Sequence, residues 1–270
     1  MLTITTCWYI LNSKFNKSRY DTWIKNFILH VRNFYLVIFT NEESKHMILP
    51  YVKNNQKIKI IIKEFEHFYN YKYKDYWIKN HKINNLLNSN SKHNTEWKLN
   101  MLWCEKIAFV KEVINNKYFV TPWYGWCDIG YFRDDTDKIL LNNYWPNKET
   151  IKNLINSKIY YAKINNKKNE INSLIHCIMN KNEVGLPTHP INPTQTSIAG
   201  GFFLITQENI NWWFTTFDTK LELYFKNNYL VKDDQMIIIN CIVENITKFF
   251  LVEENNISFD KWFMFKRFLL

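Results

Sequence analysis

Phe34-Tyr35-Leu36-Val37-Ile38-Phe39-Thr40 is a near-continuous apolar run that stops at Thr40-Asn41, the pattern of a strand covered on both faces. Residues 3–9 alternate β-branched and aromatic side chains and read as an earlier strand. Between the two, Ser18 followed three residues later by Asp21 gives a capping-box-like start to a helix that carries Trp23, Phe27 and Val31 on one face. Strand, helix and strand in that order make a βαβ unit, and such units imply a parallel sheet. The expected fold is therefore α/β: one Rossmann-like domain with a mostly parallel central sheet flanked by helices.

Working outward, residues 48–52 predict a short helix and residues 58–62 a third strand. Residues 67–94 turn to Tyr, Lys, Asn and Ser without a clear period and read as a long surface excursion, a kind of loop that is often functional. Helical spacing returns over 95–115. A buried strand bounded by Tyr118, Phe119 and Val120 then runs to Asp128. Beyond Asp137 the pattern predicts a helix over 149–156, a strand over 159–162 and a helix over 171–180, then a rigid loop at Leu186 to Pro193. A strand over 199–206, helices over 208–226 and 233–244, and a strand over 249–253 complete the chain, which shows no internal repeat.

The chain has 270 residues, of which 46% are hydrophobic and 17% aromatic, enough for one large core. Its charge of +10 invites a nucleic-acid partner, yet the surplus is lysine without Arg clusters, so no specific nucleic acid is expected. Five scattered cysteines with no CxxC pair fit reduced thiols in a cytoplasmic setting. No HExxH pattern, export signal or long apolar span is present.

Chemistry concentrates in Trp123-Tyr124-Gly125-Trp126-Cys127-Asp128-Ile129-Gly130-Tyr131-Phe132-Arg133. A buried strand rarely spends a carboxylate at its end without a partner or a task. Open α/β sheets bind ligands beyond the carboxyl ends of their strands, where Thr5-Thr6, Thr40-Asn41 and Asp128 are expected. Facing a diphosphate there, Asp128 could hold Mg²⁺ or Mn²⁺, with Lys106 and Arg133 adding positive charge. The bland reading has Asp128 and Arg133 pair with each other or cap neighbouring backbone. Gly200 and Gly201, entering an apolar strand, fit either close approach to a ligand or a β-bulge. Asp233-Asp234-Gln235 opens a helix, where acidic residues are favoured by the helix dipole whatever their function.

These segments, in this order, resemble the bacterial HtrL/YibB-like family: Thr5-Thr6, Leu36 to Asn41, Trp103 with Lys106, Phe119 through Trp126-Cys127-Asp128-Ile129-Gly130 and Arg133, Gly200-Gly201-Phe202, Trp213, and Asp234-Gln235. That family is similar to GT-A-fold glycosyltransferases, and the late Asp-Gln followed by Asn240 also resembles a segment of glycogenin-like enzymes. The resemblance implies a single domain over 1–270, with a nucleotide-sugar-binding half at 1–133 and an acceptor-binding half at 134–270. It assigns Asp128 to the metal carboxylate, Thr5 and Thr6 to the nucleotide, and Lys106 with Arg133 to the donor. Gly200 and Gly201 would line the sugar or acceptor pocket, Gln235 would join the donor-binding residues, and Asp234 would bind the donor sugar or act as base. Asp128 is followed by Ile129-Gly130, so a literal D-x-D is missing, and no histidine follows His189.

The leading expectation is sugar transfer from a nucleotide-sugar donor to a glycan, lipid-linked or protein acceptor, assisted by Mn²⁺ or Mg²⁺. The rival is a noncatalytic polyanion or nucleotide binder on the same fold. At the C-terminus, Phe263, Phe265, Phe268, Leu269 and Leu270 interleave with Lys261, Lys266 and Arg267. Such a tail either touches an anionic membrane peripherally or docks its aromatics on the core.

Overall fold

In the computed structural model, which describes residues 1–133, 140 and 144–270, the run that opened the sequence reading is β2. The strands are β1 (Leu2–Trp8), β2 (Phe34–Thr40), β3 (Ile58–Ile62), β4 (Trp123–Cys127), β5 (Ile159–Lys163), β6 (Ile198–Ile205) and β7 (Phe249–Glu253). They form one seven-stranded sheet in the order β3-β2-β1-β4-β6-β5-β7. Strands from both proposed halves share this sheet, and the residues just after their boundary at 133/134, 134–139, lie outside the described residues.

The expected α/β class and mostly parallel sheet hold, with one reversal. Only β6 runs against its neighbours: it is antiparallel to both β4 and β5, while every other pairing is parallel. That reversal brings the start of β6, with its paired glycines, beside the end of β4.

Alternation along the strands divides the interior into two layers. Ile4, Trp8, Leu36, Ile38 and Cys127 face the layer containing the Lys17–Leu29 helix and the C-terminal segment. Cys7, Val37, Phe39, Tyr124 and Trp126 face the layer built on the helices Trp97–Cys104, Lys106–Asn115, Gln207–Lys226 and Asp234–Glu244. Because Asp128 lies two residues beyond Trp126, strand periodicity directs both toward the second layer.

Several local expectations are corrected. The first helix is capped by Asn16, whose side chain accepts from the Arg19 amide; Ser18 lies inside the first turn and donates to Asn16. Residues 67–94 are not a surface excursion. They contain a 3₁₀ segment (Tyr69–Tyr73) and a helix (Lys74–Ile83) that buries Trp77 and Asn80. The strand before Asp128 begins at Trp123, and Val120 is 76% exposed. Residues 95–115 divide into two helices at Glu105.

The C-terminal segment docks on the core: Met264, Phe265 and Leu269 are buried. No helix among the described residues is long and apolar enough to cross a membrane. No disulfide joins any of the five cysteines.

Candidate active site

The strand order places a topological switch point between β1 and β4, because the chain leaves β1 toward β2 and β3 and returns on the other side as β4. In open α/β sheets a crevice opens there beyond the carboxyl ends of the strands. This chain has a cleft of about 390 Å³ at that place, floored by Lys106, Asp128, Gly200, Gly201 and Asp234. A narrower hollow of about 100 Å³ continues it toward Cys7, Trp8 and Tyr9 at the end of β1.

Lys106 stands at the centre. It opens its helix directly after Glu105, is buried, and extends Nζ to 3.1 Å from Asp128 Oδ1 and 3.0 Å from Asp234 Oδ2. Its ammonium also donates to the Gly200 carbonyl at 3.0 Å. Burial opposes the charge, but the two carboxylates outweigh it and hold Lys106 protonated beyond the ordinary lysine range.

Asp128 leaves β4 with its backbone amide donating to the Gly201 carbonyl at 2.8 Å. Its Oδ1 accepts from the Trp126 indole N–H at 2.6 Å and faces Lys106. With 42% of the side chain exposed, the carboxylate still has an edge open to the cleft. Asp234 differs: only 5% of its side chain is exposed, and burial raises its carboxyl to about 6 against the opposing pull of Lys106. The preceding residue, Asp233, caps this helix through the Met236 amide and pairs with Lys232 at 2.8 Å.

The two glycines follow the bulge reading. Between Tyr161 and Ala162 the β5–β6 register shifts, so the glycines sit in a bulge. A Cβ at Gly200 would lie 2.7 Å from Asp234 Oδ2, and one at Gly201 would lie 3.2 Å from Asp128 Oδ2. A side chain at 200 would collide with the buried Asp234 carboxylate, whereas one at 201 would only crowd the more exposed Asp128.

Arg133 reaches the cleft rim, where its Nε donates to the Gly130 carbonyl at 2.7 Å and its guanidinium packs over Trp23 and Phe263. Its partner is not Asp128, which pairs with Lys106 instead. Gln235 also lines the cleft.

Thr5 and Thr6 do not reach the cleft. Both are wholly buried because β1 runs on to Trp8, and their hydroxyls lack hydrogen-bond partners among the described residues. Trp8 and Tyr9 occupy the place expected of them. Thr40 and Asn41 are likewise internal: Thr40 donates to the Trp8 carbonyl, and Asn41 accepts from the Ser44 amide. Sequence reasoning also missed Lys14, Tyr20, Asp260 and Trp262, which come from loops or helix faces with no periodic signal. The Trp126 indole bond was findable, since residues two apart on a strand share a face.

No cluster of three His, Cys, Asp or Glu side chains suited to a metal occurs among the described residues. What the cleft offers a divalent cation is the open edge of Asp128. Its described lining holds three cations, Lys14, Lys106 and Arg133, against four carboxylates, Asp128, Asp233, Asp234 and Asp260. A bare diphosphate would meet a net acidic wall there, whereas one carrying Mg²⁺ or Mn²⁺ would not. The donor set fits an ion that arrives with phosphates and takes one protein carboxylate.

No family model matches the chain, and no curated protein matches it in sequence. Among solved structures it is similar to mouse xyloside xylosyltransferase 1 in its apo form, at 10% identity over 92% of this chain and 84% of that chain, with a TM-score of 0.49. It is also similar to the galactosyltransferase LgtC in complex with donor and acceptor sugar analogues, at 10% identity over 88% and 69% of the two chains, with a TM-score of 0.41. An active-site mutant of LgtC gives 10% identity, 89% and 70% coverage and a TM-score of 0.41.

Proposed function

We propose that the protein is a GT-A-type glycosyltransferase that moves a sugar from a nucleotide-sugar donor to a hydroxyl of a glycan, lipid-linked or protein acceptor. The observation that carries this reading is the convergence of Asp128, Lys106 and Asp234 at the switch-point cleft, under the Gly200-Gly201 backbone. The nucleoside diphosphate lies between Asp128 and the Arg133 rim, with Trp8, Tyr9 and Tyr20 as aromatic walls. Mn²⁺ or Mg²⁺, held by Asp128, would supply charge neutralisation of the diphosphate leaving group.

In the transfer, the acceptor oxygen bonds to the anomeric carbon as the bond from that carbon to the diphosphate breaks, and the acceptor proton leaves to solvent or a base. Asp234 serves as a positioning residue in this scheme. With almost no exposure and Lys106 beside it, its carboxylate fixes the ammonium more readily than it meets an incoming hydroxyl. Lys106 in turn fixes the Asp128 carboxylate and the Gly200 carbonyl that line the donor's path.

A panel of nucleotide-sugars, with and without Mn²⁺, tests the reading by release of nucleoside diphosphate. One donor is expected to turn over, with the Asp128→Asn variant reduced by about 100-fold or more, the scale of losing a direct electrostatic contact to the leaving group. Absence of turnover with every donor, or full activity in the variant, would contradict it.

A further inference from the structure

A second hollow, of about 480 Å³, opens beside the cleft and shares Lys14, Trp103 and Asp233 with it. Its remaining wall comes from residues 85–87 and 91–93, from Pro193 and Thr194, and from Lys232. These belong to three separate stretches of sequence, so the hollow is a product of the fold and not of one loop.

The two spaces differ in sign. The cleft lining has one more carboxylate than cations, whereas the hollow has Lys14, Lys92 and Lys232 against Asp233 alone. Asp233 is already committed to Lys232 at 2.8 Å and to the helix cap. Lys92 is thereby left without an ion-pair partner among the described residues, and Lys14 feels Asp233 and Asp234 only at longer range. At the junction, the half-buried Trp103 presents its ring to Lys14, whose Nζ stands 4.9 Å from the ring centroid. A cation held over a tryptophan ring offers charge to an anionic substituent of a sugar and an apolar neighbour to the sugar ring itself.

We propose that this hollow is an acceptor subsite for an acidic saccharide, one that carries a carboxylate or phosphate. The inference rests on the glycosyltransferase reading and gives the acceptor a chemical class. The adjoining fields orient such a molecule: its anionic group is drawn toward Lys14 and Lys92 and repelled from the acidic cleft, which leaves a hydroxyl to project past Trp103 toward Gly200 and Gly201.

Titration calorimetry on the full chain tests this with four probes: hyaluronan tetrasaccharide for the carboxylate, mannose 6-phosphate for the phosphate, neutral chitotetraose, and UDP with Mn²⁺. At least one acidic probe is expected to bind about tenfold or more tighter than chitotetraose. Lys92→Glu, an exposed position outside the donor cleft, is expected to erase that preference while UDP affinity stays unchanged, and Lys92→Arg to retain it. Stronger binding of hyaluronan identifies a carboxylate ligand, and stronger binding of the sugar phosphate a phosphorylated one. Equal affinity for neutral and acidic probes, no binding of either acidic probe, or indifference to Lys92→Glu would overturn the subsite. Acidic-saccharide binding that depends on Lys92 without any nucleotide binding would support the subsite and overturn the donor reading.

Discussion

Replacing Lys106 with methionine keeps much of the side chain's volume but removes the only cation among the described residues within ion-pair reach of Asp234, whose carboxylate has almost no contact with water. Breaking one side of a buried pair strands a charge, at a typical cost of about 3–5 kcal/mol. Lys106→Met is therefore expected to lower the urea midpoint sharply. The double variant Lys106→Met with Asp234→Asn should recover much of the loss, since the stranded charge is gone. A Lys106→Met protein as stable as the parent would show that Lys106 and Asp234 are not paired. Asp128 was legible as a carboxylate at a strand end because a strand led into it. Its partner was not, because the contact spans 22 residues of sequence that no local pattern relates and depends on how a helix packs across the strand end.

Strands were read well because period-two alternation and apolar runs are local properties of the chain. β2, β3 and β7 begin and end where the sequence placed them. The Lys74–Ile83 helix was missed for a physical reason: it buries only Trp77 and Asn80, and Asn80 docks by exchanging side-chain hydrogen bonds with the Val231 backbone at 2.8 Å. A helix held by an amide carries little hydrophobic period. The same part of the chain is pinned by Glu105, at the break between two helices, which accepts the Tyr69 amide at 2.6 Å and the Asn70 amide at 2.9 Å. Burial raises the Glu105 carboxyl to about 7 against those hydrogen bonds. The folded state then holds this proton more tightly than the unfolded chain does. Its stabilising share is full below about pH 4.5 and is lost as pH rises to about 7, an effect on the order of 3 kcal/mol. Asp234, raised to about 6, adds a fall of the same sign at slightly lower pH. Urea denaturation across pH 4 to 8 should show stability declining over this window, and Glu105→Gln should flatten the decline even though its baseline is lower. An identical slope in the variant would rule out Glu105 as its source.

At the scale of the molecule, one reversed strand does most to define the site. Were β6 parallel to β4, its glycines would lie at the opposite edge of the sheet from Asp128 and Lys106 could not reach the Gly200 carbonyl. The sequence announced a sheet and a glycine pair but not the direction of β6, because strand direction is set by connections and long-range pairing. The segment linking β5 to β6, residues 164–197, spans 34 residues, long enough to permit either sense. The strand order also explains why Thr5 and Thr6, plausible from sequence, are internal: the crevice opens only past Trp8.

The central claim is that this cleft holds a nucleoside diphosphate against Asp128. Calorimetric titration of UDP and GDP, each with Mn²⁺, into the parent protein and into Asp128→Asn tests it most directly, with thermal unfolding as the check on folding. Metal-dependent binding by the parent, weakened about tenfold or more in a variant of unchanged unfolding midpoint, is the expected result. Equal nucleotide affinity in the two proteins, or none in either, would contradict it.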